Sequence, residues 1–345
     1  MNRRRFLGSS VALLAAAAGC NTSPSSRVVL YCAQDREFAE SVLAEFTQRT
    51  KLDVAPKYDT EADKSVSLYE ELIREKDRPR CDVHWNNEIL ATIRLKRAGV
   101  LEPYASPSSA PYPEWSKAPD HSWQAFASRA RILLVNSKLV PEADRPKSLL
   151  DLARPRWKGK VAMAKPLFGT TATQAACLFE ALGPERAEQF YKDLAANGVH
   201  IEPGNKQAAE AVSHCKVAIG MTDTDDAMEE KESGQPVEIV FPDREKTPEF
   251  PRMGTLYIPN TVALIRGAPN ADGGRKLIDF LLSADVEAKL AENASHQIPL
   301  NPQVKAKLPD VILPPSSVHV MNVDFEKAAD MWERSQTFLR NLFAR

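Results

Sequence analysis

The chain has 345 residues, with 45 Lys and Arg against 46 Asp and Glu, a net charge of −1. That balance offers no basic patch of the kind nucleic acid requires, and beyond the N-terminal region no apolar stretch approaches a membrane span. With 43% hydrophobic residues, there is enough apolar material for two domains with cores of their own.

The N-terminus reads Arg3-Arg4-Arg5-Phe6-Leu7, then an apolar run from Val11 to Ala18, then Gly19-Cys20. A charged start, a short apolar run and small residues before a cut predict an export signal over residues 1–19. The Arg-Arg-x-Phe-Leu pattern also resembles a twin-arginine signal; general secretion is the other route. Cys20 is the candidate lipidation site, which would tether the mature chain outside the cytoplasm, in the periplasm or at the cell surface. An ordinary cleaved signal with Cys20 a bystander is the alternative, and Ala17, where lipoprotein signals usually carry Leu, speaks for it. The other four cysteines, Cys32, Cys81, Cys177 and Cys215, show no CxxC pairing and are expected to be buried apolar thiols.

After a short tether (residues 20–27), Val28–Tyr31 is a strand. A helix follows Asp35 with Phe38, Val42 and Phe46 on one face. Leu52–Ala55 is a second strand, and Thr60-x-x-Asp63 predicts the start of a helix running to Lys76. Asp82–Trp85 is a third strand, followed by a helix carrying Ile89 and Ile93. Strand–helix alternation of this kind predicts a parallel sheet with helices on its faces. Glu102–Pro119, rich in Pro and Ser, is loop. Strands are then expected at Arg131–Val135, Lys160–Ala164, Val217–Gly220, Val237–Phe241, Thr255–Ile258 and Thr261–Ile265. Helices are expected at Thr171–Leu182 and Glu185–Ala196, ending at Gly183 and Gly198, then at Asp272–Leu282, Asp285–Glu292 and Asp324–Phe343.

Two α/β blocks divided by an irregular stretch predict two lobes. Lobe 1 takes residues 28–128 and 259–320, lobe 2 residues 129–258, and a C-terminal helix residues 321–345. Arg129–Val135 and Leu256–Leu264 are the candidate hinge crossings. Ligands of α/β sheets bind beyond the carboxyl ends of strands. That rule selects Gln34-Asp35, Asn86-Asn87-Glu88, Phe168–Thr171 and Thr222–Asp226.

Several segments, in this order, carry a resemblance: Val29-Leu30-Tyr31-x-x-Gln34-Asp35, Asp82-Val83-x-Trp85, Gly99-Val100-Leu101-Glu102-Pro103-Tyr104, Ser128-Arg129-x-Arg131, Pro155-Arg156-Trp157-Lys158-Gly159-Lys160, Asn205 before a helix, and Ile298-Pro299-Leu300-Asn301-Pro302. Together they resemble the periplasmic ferric-ion-binding proteins of ABC importers. The resemblance implies a two-lobed periplasmic binding protein fold (type II), each lobe a sheet flanked by helices, with the ligand cleft between lobes. It also implies a monomer that is not an enzyme, delivers its cargo to an inner-membrane ABC permease, and carries ferric iron or another hard metal with a synergistic anion.

The metal ligands of that family do not carry over. Where its members typically hold iron with an adjacent Tyr-Tyr pair, a His and a Glu, this chain has Asp223-Thr224, Asp35 and Asn87, with Glu88 next door. A metal here would be held by carboxylates and amides, hard oxygen ligands. Asp35, Asn87, Glu88, Asp223 and Asp225 are therefore the candidate ligand residues. Three carboxylates within Thr222–Asp226 suit a cation, or else Asp225 or Asp226 caps the next helix while Asp223 faces the cleft. On that basis Asp223→Ala is expected to abolish binding of a cationic ligand at little cost in stability. Gly169, Thr170 and Thr171 open a helix whose free amides suit an anion, with Arg129 nearby. Asp59, Glu61, Asn205, Thr222 and Asn260 complete the cleft candidates, with Lys64 available to pair with Asp59 or Glu61. The same constellation also suits a phosphorylated or zwitterionic organic solute. An exported metal-dependent hydrolase is the weaker alternative, since GxSxG, HExxH, a Walker loop and a paired Cys/His site are all missing. His84 is expected to be packed on its strand rather than ligating.

Overall fold

The computed structural model describes residues 27–59 and 66–343. Cys20, the export signal, and Thr60, Glu61, Asp63 and Lys64 lie outside the described residues. The chain opens with β1 (Arg27–Cys32), α1 (Arg36–Thr50), β2 (Asp53–Tyr58), α2 (Ser67–Arg74), β3 (Val83–Asn86), α3 (Ile89–Arg97) and β4 (Leu101–Glu102). After the irregular stretch comes β5 (Gln124–Asn136), then β6 (Val161–Ala164), α4 (Gly169–Leu182), α5 (Pro184–Ala196), β7 (His200–Glu202), α6 (Asn205–Ser213), β8 (Ile219–Asp223), α7 (Thr224–Glu232) and β9 (Val237–Val240). The chain ends with β10 (Tyr257–Ile265), α8 (Ala271–Leu281), α9 (Ala284–Glu292), α10 (Phe325–Asp330) and α11 (Trp332–Phe343).

The strands run in the order β2-β1-β3-β10-β5-β8-β6-β7, with β4 on β10 and β9 on β5. Pairing divides this path into two halves. In the first, β1 lies parallel to β2 and β3, and β10 enters antiparallel between β3 and β5. In the second, β6 lies parallel to β7 and β8, and β8 runs antiparallel to β5. The long strand β5 belongs to both: residues up to Ala130 pair with β10, and those from Arg131 pair with β8. Every residue of β5 is buried, as a central strand covered on both faces requires.

Helix faces follow the sequence pattern. α1 buries Ala39, Val42, Leu43 and Phe46 and stops at Lys51, whose φ of 62° is left-handed. Phe46 packs on Phe280, and Trp85 on Phe126, with ring centroids 5.5 Å apart in both pairs. Gly183 and Gly198 end their helices with φ of 82° and 68°.

Four expectations change. The two strands expected at Thr255–Ile258 and Thr261–Ile265 are one strand, β10, with a register shift between Pro259 and Asn260. The strand expected at Val217–Gly220 starts at Ile219 and runs on to Asp223, carrying Thr222 and Asp223 to the cleft end of its half. The single helix expected at Asp324–Phe343 divides at Met331, whose amide is shared by the Lys327 and Ala328 carbonyls. α10 packs on α3 and α4, and α11 on α4 and α5, so this segment touches both halves. Cys215 is exposed, at the C-terminal end of α6 with a φ of 58°, whereas Cys32, Cys81 and Cys177 are buried. His84 is buried as expected: its Nδ1 lies 3.1 Å from the Tyr31 carbonyl, and burial lowers its pKa to about 4.

Candidate functional site

A cavity opens between the two halves, beyond the carboxyl ends of β1, β3, β6 and β8. It encloses about 20 Å³, room for a small polar group. Helix starts line it: Asp35 before α1, Phe168 to Thr171 at α4, Gly204 and Asn205 at α6, and Asp223, Asp225 and Asp226 at α7. Asn87, Arg129 and Lys165 complete the wall. Among the described residues, no N-cap side chain bonds the first amides of α1, α4, α6 or α7, although Asp225 Oδ1 accepts from Asp226 N at 3.2 Å within the first turn of α7. Gly169 has a φ of 51°, which lets the backbone turn into α4 close to the cavity.

Behind the cavity lies a buried polar network. Arg131, 1% exposed, donates from Nη1 to Asp223 Oδ1 at 2.8 Å and to Asn205 Oδ1 at 3.0 Å, and from Nε to Gln174 Oε1 at 3.0 Å. Asp223 Oδ2 accepts from Thr170 Oγ1 at 2.5 Å and Asn205 Nδ2 at 3.0 Å. Both Asp223 oxygens are thus engaged by protein donors. Thr171 donates to Asn205 Oδ1 at 2.8 Å.

Arg129 joins the halves. It donates to the Asn87 carbonyl at 3.0 Å and to Gln34 Oε1 at 2.7 Å on one side. On the other, its Nε lies 3.0 Å from Asp225 Oδ2, an ion pair whose N–H does not point along the contact. Burial pulls the Arg129 guanidinium down, but Asp225, Asp223, Asp35 and Asp226 outweigh it and raise its pKa above the usual arginine value.

The structure brings together Asp35, Asn87, Arg129, Gly169, Thr170, Thr171, Asn205, Asp223 and Asp225 from the sequence-selected residues. It withdraws four others from the cavity wall. Glu88 is the N-cap of α3: its carboxylate accepts from Leu90 N at 2.6 Å, Ala91 N at 2.8 Å, Asn86 Nδ2 at 3.1 Å and Thr173 Oγ1 at 2.7 Å. With four donors and 1% exposure it is a structural cap rather than a replacement metal ligand, and burial pushes its carboxyl up. Thr222 donates to the Asn205 carbonyl at 3.0 Å. Asn260 donates to the Ala127 carbonyl at 2.7 Å and Gln297 Oε1 at 2.6 Å. Asp59 accepts from Ser67. Asp223, rather than Asp225 or Asp226, holds the N-cap position of α7 and makes no side-chain cap bond, while Asp225 Oδ1 accepts from Asp226 N at 3.2 Å in the first turn. The buried pair with Arg131 leads to a different expectation for Asp223→Ala, a loss of stability, because that change would strand a buried arginine.

Sequence reasoning missed Lys165 and the Pro203-Gly204 turn. The signal was present: each follows a strand end or stands directly before a helix, as the residues it did select do.

Two α/β halves that share a long strand and enclose a polar cleft define a two-lobed periplasmic binding protein. The fold aligns with iron-bound HitA from Pseudomonas aeruginosa at a TM-score of 0.81 and 21% identity, covering 92% of this chain and 99% of that one. It also aligns with AfuA from Actinobacillus pleuropneumoniae, solved with fructose-6-phosphate, at a TM-score of 0.79 and 22% identity, covering 92% and 98%. In sequence, the chain is 26% identical over 301 residues to the major ferric iron-binding protein of Neisseria meningitidis, covering 85% of this chain and 86% of that one. The model of the bacterial extracellular solute-binding protein family matches residues 91–327, and the chain belongs to that family. Its members are substrate-binding proteins and not enzymes, and the resemblance to ferric-ion binders read from the sequence holds.

Proposed function

We propose that this protein is the solute-binding component of an ABC importer and that its solute carries an anionic group. The observation that carries this reading is the convergence on one cavity of four helix starts whose N-cap side chains make no cap bond. Each start presents backbone N–H groups and the positive end of a helix dipole. Arg129 and Lys165 add positive charge at the same wall. Asp35, Asp225 and Asp226 beside them suit an ammonium or hydroxyls on the same solute, so the chemistry of the wall favours a phosphorylated or zwitterionic organic compound.

Ferric iron or another hard metal with a synergistic anion is the second reading. Asp223, Asp225 and Asp226 favour it, since one carboxylate oxygen from each lies within 4.8 Å of the others. It ranks second because both Asp223 oxygens already accept protein donors. In either case, two hinged lobes closing on the solute would present the closed form to an inner-membrane permease. Export, attachment through a lipid on Cys20 and a monomeric state belong to the same proposal.

Native mass spectrometry of the chain from residue 21, with elemental analysis of the same sample, tests it. A discrete organic mass on metal-free protein supports the first reading. Stoichiometric, chelator-removable metal overturns it in favour of the second.

A further inference from the structure

The strand that carries Arg129 changes face in its middle. On β10, Asn260 pairs with Phe126 and Pro259 with Ser128, so Ala127 is one residue too many on β5. Adjacent residues of β10 face opposite sides, so Phe126 and Ser128 do too, although only two positions apart. Phe126 packs against Trp85. Ser128 instead lines an apolar cavity of about 410 Å³ with Ile89, Ile93 and Trp123. Arg129 is thereby left on the cleft side, beside Asn87 and Gln34. Were Ala127 instead paired with Pro259 in an unbroken ladder, position 129 would share the face of Ala125, whose partner Thr261 lies against Thr92 of α3 at 2.6 Å. The guanidinium would then point at the apolar cavity, since a one-residue slip moves every side chain to the other face.

The extra residue is held in place. Ala127 has a φ of 39°, a conformation that a residue with a Cβ seldom adopts. Its N–H donates to Glu287 Oε1 at 2.5 Å, and its carbonyl accepts from Asn260 Nδ2 at 2.7 Å. Glu287, on α9, is fully buried and also accepts from Leu300 N at 3.0 Å and Asn301 N at 2.7 Å. Asn260 is held in turn by Gln297. Neither Glu287 nor Asn260 lines the cleft cavity.

We infer that the Ala127 bulge, clamped by Glu287 and Asn260, is what aims Arg129 into the cleft, which makes Glu287 and Asn260 positioning residues for the solute site. The inference rests on reading the cleft as that site, but its test needs no solute. The Arg129 Nε–H is buried next to Asp225, so its nitrogen–proton NMR signal, assigned by its loss in R129K, reads the aim of the side chain directly. A127G, which adopts the left-handed backbone without a Cβ, keeps the signal. A127V, which cannot hold that backbone easily, shifts it and speeds its exchange with solvent about tenfold or more, and E287Q does the same by weakening the clamp. If A127V fails to fold, E287Q alone decides. An unchanged Arg129 signal in a folded A127V or E287Q overturns the inference, as does its loss in A127G. A signal that moves as expected in a protein that retains no solute would sink the proposed function and leave this inference standing.

Discussion

The helix starts of α3 and α4 face the same cleft from opposite halves, and they are built differently. α3 begins at Glu88, whose carboxylate binds the Leu90 and Ala91 amides. α4 begins at Phe168, which has no side chain able to cap, followed by a glycine. Both follow the end of a strand, so position alone does not separate them. What separates them is whether the chain supplies its own acceptor. Where it does, the helix dipole is satisfied within the fold; where it does not, the amides remain available to an anion brought from outside.

The most severe test of that comparison is Asp223→Ala at the start of α7. If every start without a cap serves only the solute, stability should not change. The buried pair with Arg131 says otherwise, and a loss of about 4 kcal/mol is expected in urea melts, because an arginine is left uncompensated. Glu88→Ala should come next, at about 3 kcal/mol, since four buried donors lose their acceptor. Thr171→Val sharpens the contrast from the other side: its melts should move by under about 1 kcal/mol, while affinity for the solute identified by mass spectrometry falls about tenfold. The smallest effect concerns pH. Burial raises the Glu88 carboxyl, so its contribution to stability is complete below the usual glutamate range and is lost as pH rises through the raised value. Glu88→Gln should flatten that part of the stability–pH curve, and an unchanged slope would exclude Glu88 as its source.

Most of the fold was legible in the sequence, because apolar periodicity and glycine stops report on local structure directly. The breaks in that legibility have physical causes. β10 looked like two strands because Pro259 and Asn260 interrupt its apolar pattern, yet they sit at a register shift inside one strand. At the site, strand ends named most of the wall. The partners of the charged groups stayed hidden: Arg131 and Asp223 are 92 positions apart, and nothing local announces their bond. Glu88 misled for the opposite reason. It sits beside Asn87, which does line the cavity, and one step along a strand end separates a cap from a cleft residue. The bulge at Ala127 left no trace at all, because the usual glycine marker is missing there.

The placement of β10 also constrains how the molecule is made. It lies between β3 and β5, although it is the last strand among the described residues. A nascent polypeptide ending before Tyr257 therefore carries β3 and the first part of β5 with bare edges, each a template for pairing with another chain. The first half cannot close until residues 257–265 have emerged and threaded between strands made much earlier, a pairing of high sequence separation and correspondingly slow. During synthesis, whatever shields those edges acts on most of the chain at once.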